Sequence, residues 1–267
     1  MKQVAVAAPG ELQTAPEDLL ENGVLASSRS CPSGAAGKEQ WSEVMQLKNI
    51  QLSESLEDIA RIGVVFFKEI SNGAVSSPLR ERIDGLADEL RRTVETRPLS
   101  ELEGVRRTRN LYHLVGVDPT KDRPSSERLL RRVMQNRALP KISNFVDAVN
   151  LASLSLQCPL GVYDWDKVVP PALVRVGRPE DSFCGPGEAP VSLEGRLALV
   201  DGEGFFGNPS RDSNRTRVRL GTVRGLVVAW AAAETPRSYL EEVLKEVIEL
   251  ATQFCEARVS EWGVLGC

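Results

Sequence analysis

The 267-residue sequence predicts an α+β fold, because helix-like and strand-like patterns occupy different parts of the chain. Up to residue 164, apolar residues recur mainly at the three- and four-residue spacing of amphipathic helices. Beyond it, short stretches of alternating apolar and polar residues are separated by glycine and proline, as in strands joined by turns. The sequence lacks alternating strand–helix–strand units, so we expect helices mostly early and a mixed or antiparallel sheet later.

Residues 1–45 differ in composition from the rest of the chain. They are rich in alanine, glycine, serine and proline, and they contain few residues that could form a core. We therefore expect a flexible N-terminal extension at 1–45, followed by one main domain at 46–267.

Two segments early in the main domain have clear local signatures. The run 62–67, IGVVFF, is β-branched and aromatic, which predicts a buried strand. Pro78 then precedes a helix predicted for Leu79–Val94, because proline is favoured at the first helical position. The apolar residues of this helix fall on one face, and its charged residues fall on the other.

The densest basic cluster of the chain lies in residues 106–141. Ser125 follows Pro124 and is predicted to be the N-cap of a helix that ends near Arg137, with Val133 among the residues facing the core. The arginines on the outer face could contact nucleic-acid phosphates, or they could simply be solvated; the sequence allows both interpretations. The candidates for phosphate contact are Arg123, Arg128, Arg131 and Arg132.

The segment 142–156 predicts a helix with an unusual polar face. Asn144, Asp147 and Asn150 recur every third residue beside an apolar stripe. Such side chains are poor helix formers, because they compete for nearby backbone groups. They either cap turns and hold neighbouring loops or line a ligand pocket, and the spacing is compatible with both.

The later part of the chain is predicted to contain strands and a closing helix. Leu197–Val200 and Val223–Trp230 are expected to be strands, with the loop sequence GFFGNPSRDSNRT at 204–216 between them. Pro236–Val259 has the apolar spacing of an amphipathic helix.

Charge and cysteine content narrow the classes of function. The net charge of −4 argues against strong nonspecific nucleic-acid binding over the whole surface, although a local basic surface is compatible with it. Five cysteines without metal-ligand spacing and one histidine, His113, predict no metal site and no cofactor. The scattered cysteines fit reduced thiols in a cytoplasmic protein. We expect no signal peptide and no membrane span, since the apolar run Gly225–Ala233 is too short to cross a bilayer.

The sequence has no familiar catalytic signature. It lacks a nucleophile elbow, a P-loop and a helical HExxH motif, and GEGFFG at 202–207 has the wrong glycine spacing for a dinucleotide loop. His113 has no evident acid to orient it. Any general acid–base catalysis would therefore come from aspartate, glutamate or bound water.

Three motifs that follow one another along the chain nevertheless resemble a known family. They are Thr108–Val133, Gly204–Thr216 and a spaced set between them: Pro140, Ile142, Ser143, Asn144, Val146, Asp147, Asn150, Gln157, Pro159, Tyr163 and Asp164. Over roughly residues 55–235 they resemble the B3/B4 domain of the β subunit of bacterial-type phenylalanyl-tRNA synthetase, and especially free-standing proteins that consist of little else. In the synthetase this domain hydrolyses tyrosine wrongly esterified to the phenylalanine tRNA. The resemblance therefore implies an editing-domain fold.

The resemblance also implies a pocket formed by two segments that are distant in sequence. Asn150 matches the asparagine that closes the family's Val-Asp-x-Thr-Asn motif, and the resemblance implies that Asp212 is the counterpart of a glutamate that engages the substrate. These two are the candidate catalytic residues, with Asn150 positioning substrate or water. The candidate substrate-binding residues are Asn144, Gly161, Gly207 and Asn208. Two positions depart from the family: Val149 replaces a threonine and Gly161 replaces a histidine, which affects tyrosine specificity without by itself removing ester hydrolysis.

The leading hypothesis is a trans-acting aminoacyl-tRNA editing protein that hydrolyses the ester of a mischarged tRNA, with tRNA or aminoacyl-tRNA as its partner. In that case the four candidate arginines would contact tRNA phosphates. One alternative is a noncatalytic tRNA- or RNA-binding module. Another is a pocket protein for a free amino acid or related metabolite, which the acidic composition slightly favours.

Overall fold

The computed structural model describes residues 45–185 and 190–266. Its α-helices are α1 (Ser77–Thr96), α2 (Glu103–Leu114), α3 (Ser125–Met134), α4 (Asn144–Leu156) and α5 (Arg237–Cys255). Its strands are β1 (Ile50–Leu52), β2 (Ala60–Glu69), β3 (Leu160–Asp164), β4 (Ala172–Val176), β5 (Ser182–Cys184), β6 (Pro190–Ser192), β7 (Leu197–Asp201), β8 (Gly204–Gly207), β9 (Gly225–Ala232) and β10 (Arg258–Leu265). The predicted α+β class is confirmed. The predicted extension at 1–45 lies outside the described residues except for Met45, whose side chain is fully buried.

An antiparallel sheet with strand order β10-β2-β9-β3 forms the centre of the fold. The predicted strand at 62–67 is confirmed within β2. Because side chains alternate across a strand, Val65 and Phe67 contact the core under α4 and α5, whereas Val64 and Phe66 contact the second sheet. The central sheet is therefore covered on both faces, which explains why β9 is buried along its whole length.

The second sheet has strand order β1-β4-β7-β8. β1 pairs with β4 in parallel, while β4–β7 and β7–β8 are antiparallel, as expected for a mixed sheet. A separate antiparallel pair is formed by β5 and β6. β3 ends the central sheet and β8 ends the second one, and these two outer strands lie close to the candidate site described below.

Local sequence signals account for the starts of two helices. α1 carries Pro78 in its first turn and buries Leu79, Ile83, Ala87 and Leu90 on one face, which confirms the predicted helix. α4 begins after Ser143, whose Oγ accepts a hydrogen bond from the Val146 backbone N–H at 3.4 Å. Since Ser143 is an effective N-cap, α4 starts there despite the asparagines that follow.

Two predicted helix ends were wrong. Ser125 is the first residue of α3, and Pro124 occupies the N-cap position. The Ser125 backbone N–H, which has no partner within the helix, donates to the Pro209 carbonyl at 3.0 Å. α3 also ends at Met134 and not near Arg137, since Asn136 adopts a left-handed conformation with φ of 51°.

The predicted closing helix at Pro236–Val259 was too long. α5 ends at Cys255, because Glu256 has a left-handed conformation with φ of 48°. The chain then turns into β10, a strand that the sequence pattern did not indicate, and pairs with β2. None of the helices in the described residues is long and apolar enough to cross a membrane.

Candidate functional site

A cavity of about 360 Å³ opens beside β3, between the N-terminal end of α4 and the loop that follows β8. Its volume lies within the range typical of small-ligand sites, roughly 300–1,000 Å³. Its lining residues are Arg128, Ile142, Val146, Val162, Ser210, Arg211, Asp212, Ser213, Arg217 and Val218. Apolar side chains from α4 and β3 thus meet the polar loop 208–218 in one concave site.

A tight turn positions Asp212 in this cavity. Asn208 Oδ1 accepts hydrogen bonds from the backbone N–H groups of Ser210 and Arg211, at 2.9 and 2.7 Å. Asparagine side chains commonly support such turns, because their side-chain oxygen takes the place of a backbone carbonyl acceptor. The chain then folds back along β8, where Asp212 forms an isolated antiparallel bridge with Gly207. Asn208 therefore shapes the loop, and it does not line the Asp212 cavity.

The environment of Asp212 raises the pKa of its carboxyl toward neutral pH. Burial raises the pKa of Asp212 to about 7, and the nearby Tyr163 hydroxyl, the Val162 backbone N–H and the charge of Arg128 limit that rise. Near neutral pH the group is thus divided between its neutral and ionised forms. A carboxyl with such a pKa can accept a proton in a general-base reaction.

Tyr163 fills the space between the two outer strands. A Cβ atom added at Gly161 in β3 would lie 2.1 Å from the Tyr163 hydroxyl, and one added at Gly207 in β8 would lie 2.2 Å from it. The ring also makes an edge-to-face contact with Phe206, with 5.1 Å between ring centroids. Both glycines are therefore required by the position of this ring.

The Tyr163 hydroxyl is buried and has no hydrogen bond of ordinary geometry to a described residue. Burial and the nearby Asp212 carboxyl raise the pKa of Tyr163 well above its usual value, so the phenol stays neutral. Tyr163 belongs to the spaced motif that resembles the B3/B4 domain, but that resemblance implies no role for it. Its spacing of two from Gly161 in a strand was a usable signal, because residues i and i+2 share a face.

Three arginines line the cavity. Arg128 is tied to the loop, since its Nη2 donates to the Ser210 carbonyl at 2.9 Å, and burial together with the charge of Arg211 lowers its pKa. Arg211 and Arg217 are exposed, and neither forms an ion pair with another described residue. These two were not among the predicted contact residues, because loop arginines give no periodic signal.

The other predicted arginines are held by protein groups. Glu127 is 2% exposed and accepts hydrogen bonds from Arg109 at 2.9 Å through both nitrogens and from Arg131 at 3.0 Å. Arg123 lies 3.7 Å from the same carboxylate, and Arg132 donates to the Ala138 carbonyl at 2.7 Å. Contact of Arg123, Arg131 and Arg132 with tRNA stays a prediction; in this structure their charged ends stabilise the α3 region.

The asparagines of α4 do not reach the Asp212 cavity. Asn144 Oδ1 accepts a hydrogen bond from the Ser76 backbone N–H at 2.8 Å, next to the start of α1. Asn150 lines a much smaller cavity together with Asp147, whose pKa burial raises to about 6. The sequence predicts that this segment and the 207–212 loop form one pocket. The two do line the same cavity, but the segment contributes Ile142 and Val146 and not its asparagines. A helix presents different residues to different neighbours, and the apolar face points to the cavity.

No group of three or more histidine, cysteine, aspartate or glutamate side chains in residues 45–185 and 190–266 is arranged to hold a metal ion. The described cysteines are unpaired; Cys158 and Cys255 are buried and Cys184 is exposed.

The sequence model of the B3/4 domain matches residues 107–255. No curated protein sequence matches the chain. One of the similar solved structures is an N-terminal fragment of the phenylalanyl-tRNA synthetase β-subunit from Pyrococcus horikoshii, with 13% identity and a TM-score of 0.42. The alignment covers 79% of this chain and 49% of that one, so this chain spans about half the length of the fragment.

Proposed function

This chain belongs to the B3/4 domain family, and from that premise we propose that it is a trans-acting aminoacyl-tRNA deacylase. Its substrate is a mischarged tRNA, and the ester is hydrolysed in the Asp212 cavity. The observation that carries the proposal is a carboxyl with a pKa of about 7 inside a ligand-sized cavity that arginines also line.

The charges of the cavity suit the two ends of an aminoacylated 3′-terminal nucleotide. Arg211 and Arg217 offer exposed guanidinium groups, which bind phosphates well. Asp212 lies deeper and carries negative charge once ionised, so it can interact with the ammonium group of the amino acid or with an attacking water. Ile142, Val146 and Val162 supply apolar contacts for the rest of the ligand.

The reaction is ester hydrolysis with a balanced proton transfer. Ionised Asp212 accepts a proton from water as the water oxygen bonds to the ester carbonyl carbon. The bond between that carbon and the ribose oxygen then breaks, and the ribose oxygen takes a proton. The products are a free amino acid and a tRNA with a free terminal hydroxyl. An aminoacyl ester is activated, so positioning and one base can supply much of the rate.

A noncatalytic tRNA-binding module is the second candidate, and a specific observation favours it. Val149 and Gly161 occupy positions where the family resemblance implies a threonine and a histidine, and the space beside Gly161 is filled by Tyr163. Under this alternative the cavity binds the tRNA end without turnover, and Asn150 has no role in a reaction.

The test follows loss of the ester from a panel of mischarged tRNAs with wild-type protein, Asp212→Asn and Asp84→Asn. Asp84 is an exposed residue of α1 and serves as the matched control. We expect Asp212→Asn to lower turnover by about 100-fold or more, because a general base contributes 10²–10⁴-fold. Asp84→Asn should behave as wild type. Binding of tRNA without hydrolysis by the wild type would contradict the deacylase proposal and support the binding module.

A further inference from the structure

We propose that Arg128 is a phosphate-binding residue of the Asp212 cavity, and that together with Arg211 it holds the phosphodiester on the 5′ side of the terminal nucleoside. The site then recognises a nucleotide more tightly than the corresponding nucleoside. This inference rests on the proposed function and names the substrate class of the same site. Its basis is an excess of positive charge among the residues that line one cavity.

The first step is the charge balance of the cavity. Its lining contains a single carboxyl, that of Asp212, and three arginines, Arg128, Arg211 and Arg217. Even with Asp212 ionised, the cavity therefore keeps a net positive charge, although the whole chain has a net charge of −4. Like charges that converge on one concave site repel one another, so such a site favours a negatively charged ligand.

The second step is that the protein supplies these arginines with no counter-charge. Elsewhere in the fold, Arg196 pairs with Asp122 at 2.8 Å and Arg215 pairs with Asp201 at 2.7 Å. Within residues 45–185 and 190–266, none of the three cavity arginines forms an ion pair. Partial desolvation and the charge of Arg211 lower the pKa of Arg128, so these two guanidinium groups lie close enough to repel each other.

The third step is that Arg128 is positioned by the loop and still has donors for a ligand. Its Nη2 donates to the carbonyls of Arg123 and Ser210, at 3.1 and 2.9 Å. Its Nε and Nη1 donate to no described residue, and the side chain is partly exposed. A guanidinium anchored in this way loses less conformational freedom on binding, and its remaining N–H groups can donate to phosphate oxygens.

The fourth step is that one nucleotide can reach both kinds of group. Its 5′ phosphate and the ester at the other end of its ribose are separated by a single sugar ring. The carboxyl of Asp212 and the guanidinium groups of Arg128 and Arg211 line the same cavity of about 360 Å³. The aminoacyl end can therefore lie beside Asp212 while the phosphate contacts the two arginines.

Phosphate binding and the protonation of Asp212 are linked in this arrangement. The charge of Arg128 is one of the factors that limit the rise of the Asp212 pKa, which is about 7. A phosphate that neutralises Arg128 favours the protonated carboxyl, so the phosphate binds more tightly when Asp212 is protonated. Among the groups around the site, the arginines, Tyr163 and a phosphodiester do not titrate between about pH 6 and 8.

The experiment measures binding of three probes by calorimetry at constant ionic strength: the dinucleotide cytidylyl-adenosine (CpA), adenosine and inorganic phosphate. CpA carries one phosphodiester next to a terminal adenosine, as the 3′ end of a tRNA does, and it has no ester to hydrolyse. The control substitution is Arg82→Ala, because Arg82 is exposed on α1 and lines a different groove. The other proteins are wild type, Arg128→Ala, Arg211→Ala and Asp212→Asn.

For the wild type we expect CpA to bind at least about tenfold more tightly than adenosine, because charge-assisted hydrogen bonds to the phosphate add to the affinity. Arg128→Ala and Arg211→Ala should each weaken CpA binding about five- to tenfold and leave adenosine binding unchanged. Arg82→Ala should match the wild type. Raising the pH from about 6 to 8 should weaken CpA binding at least about threefold in the wild type and not in Asp212→Asn.

Equal affinity of the wild type for CpA and adenosine would overturn the phosphate site, and hydrolysis of a mischarged tRNA by the same protein would leave the deacylase proposal intact. Inorganic phosphate that binds as tightly as CpA would show a general anion site and overturn the assignment to a nucleotide. An unchanged CpA affinity in folded Arg128→Ala would overturn the role of Arg128. If Arg128→Ala does not fold, Arg211→Ala decides. CpA binding that depends on these arginines, without hydrolysis of any tRNA, would support the phosphate site and overturn the deacylase.

Discussion

Glu127 is almost fully buried and Asp212 is partly buried, and their surroundings shift the pKa values of the two carboxyls in opposite directions. Burial by itself would raise the pKa of Glu127, yet hydrogen bonds and charges from Arg109 and Arg131 outweigh it and lower that pKa. At Asp212 burial dominates, and the pKa rises to about 7. The difference therefore comes from the cations that each carboxylate contacts.

The comparison separates a structural charge from one available to a ligand. Glu127 has its oxygen atoms occupied by guanidinium groups from α2 and α3, so it links these two helices. Among the described residues no arginine or lysine forms an ion pair with Asp212, and its carboxyl lines an open cavity. Basic residues near a carboxylate thus do not by themselves indicate a binding site; the contacts decide.

The largest effect is expected for Glu127→Gln. This substitution leaves Arg109 and Arg131 without their buried counter-charge, and we expect the free energy of unfolding to fall by about 3 kcal/mol. Urea denaturation measures it, with the exposed Glu95→Gln as control. A loss below about 0.5 kcal/mol, as for a surface pair, would remove the distinction between the two carboxylates.

Asp212→Asn should have the opposite effect: it should reduce hydrolysis and not stability. We expect the free energy of unfolding near pH 5 to be kept and hydrolysis of a mischarged tRNA to fall by about 100-fold, equivalent to about 2.7 kcal/mol of transition-state stabilisation. In the wild type, turnover should rise with pH through about 7 as Asp212 ionises. A pH-independent rate, or unfolding of Asp212→Asn, would show that Asp212 is structural like Glu127.

The pH dependence of stability gives a third contrast. The folded protein retains the Asp212 proton up to about pH 7, whereas an unfolded aspartate loses it near its ordinary pKa of 3.8. Between these values the folded state binds more protons, so stability falls as pH rises and levels off above about 7. We expect wild type to lose roughly 1–3 kcal/mol more than Asp212→Asn between pH 5 and 8.

Denaturation of both proteins across that pH range tests this expectation, and their difference cancels the contribution of Asp147, whose raised pKa acts in the same direction. Glu127 has the opposite sign: its lowered pKa contributes stability that is lost as pH falls through its folded-state pKa. Parallel curves for wild type and Asp212→Asn would contradict the raised pKa of Asp212.

The arginines should also fall into two groups, one that binds tRNA and one that stabilises the fold. Arg211→Ala or Arg217→Ala should each weaken tRNA binding roughly three- to tenfold and lower the salt slope by about one, because each removes one exposed phosphate contact. Arg131→Ala should mainly reduce stability, since its guanidinium contacts Glu127. Filter binding across a salt series measures the affinities. A larger binding loss for Arg131→Ala than for Arg217→Ala would place the tRNA on α3.

The smallest effect is expected from removal of the N-terminal residues. Both carboxylates and the partners named above follow residue 108, and we propose that 1–44 contribute little to the domain. A chain starting at Met45, which is buried, should melt within about 2 °C of the full chain. A drop of about 10 °C in calorimetry would contradict this.

Much of the fold could be predicted because its signals are local. The run 62–67 indicated a buried strand, Pro78 indicated the start of a helix, and Ser143 caps α4 within three residues of itself. By contrast, the strand β10 was missed. Its residues alternate weakly, and only pairing with β2, almost 200 residues earlier, stabilises the extended conformation.

The sequence by itself determined the α+β class and the family, and the family resemblance made Asp212 a candidate site residue, which stays a prediction. Tertiary structure decided which neighbours each side chain meets. It joined Arg109 and Arg131 to Glu127, directed Asn150 away from the cavity, and placed Tyr163 between Gly161 and Gly207. The physical reason is the distance along the sequence over which each interaction acts. Periodicity and capping act within a few residues, whereas a pKa, an ion pair or a filled space depends on groups that meet only when distant segments pack together.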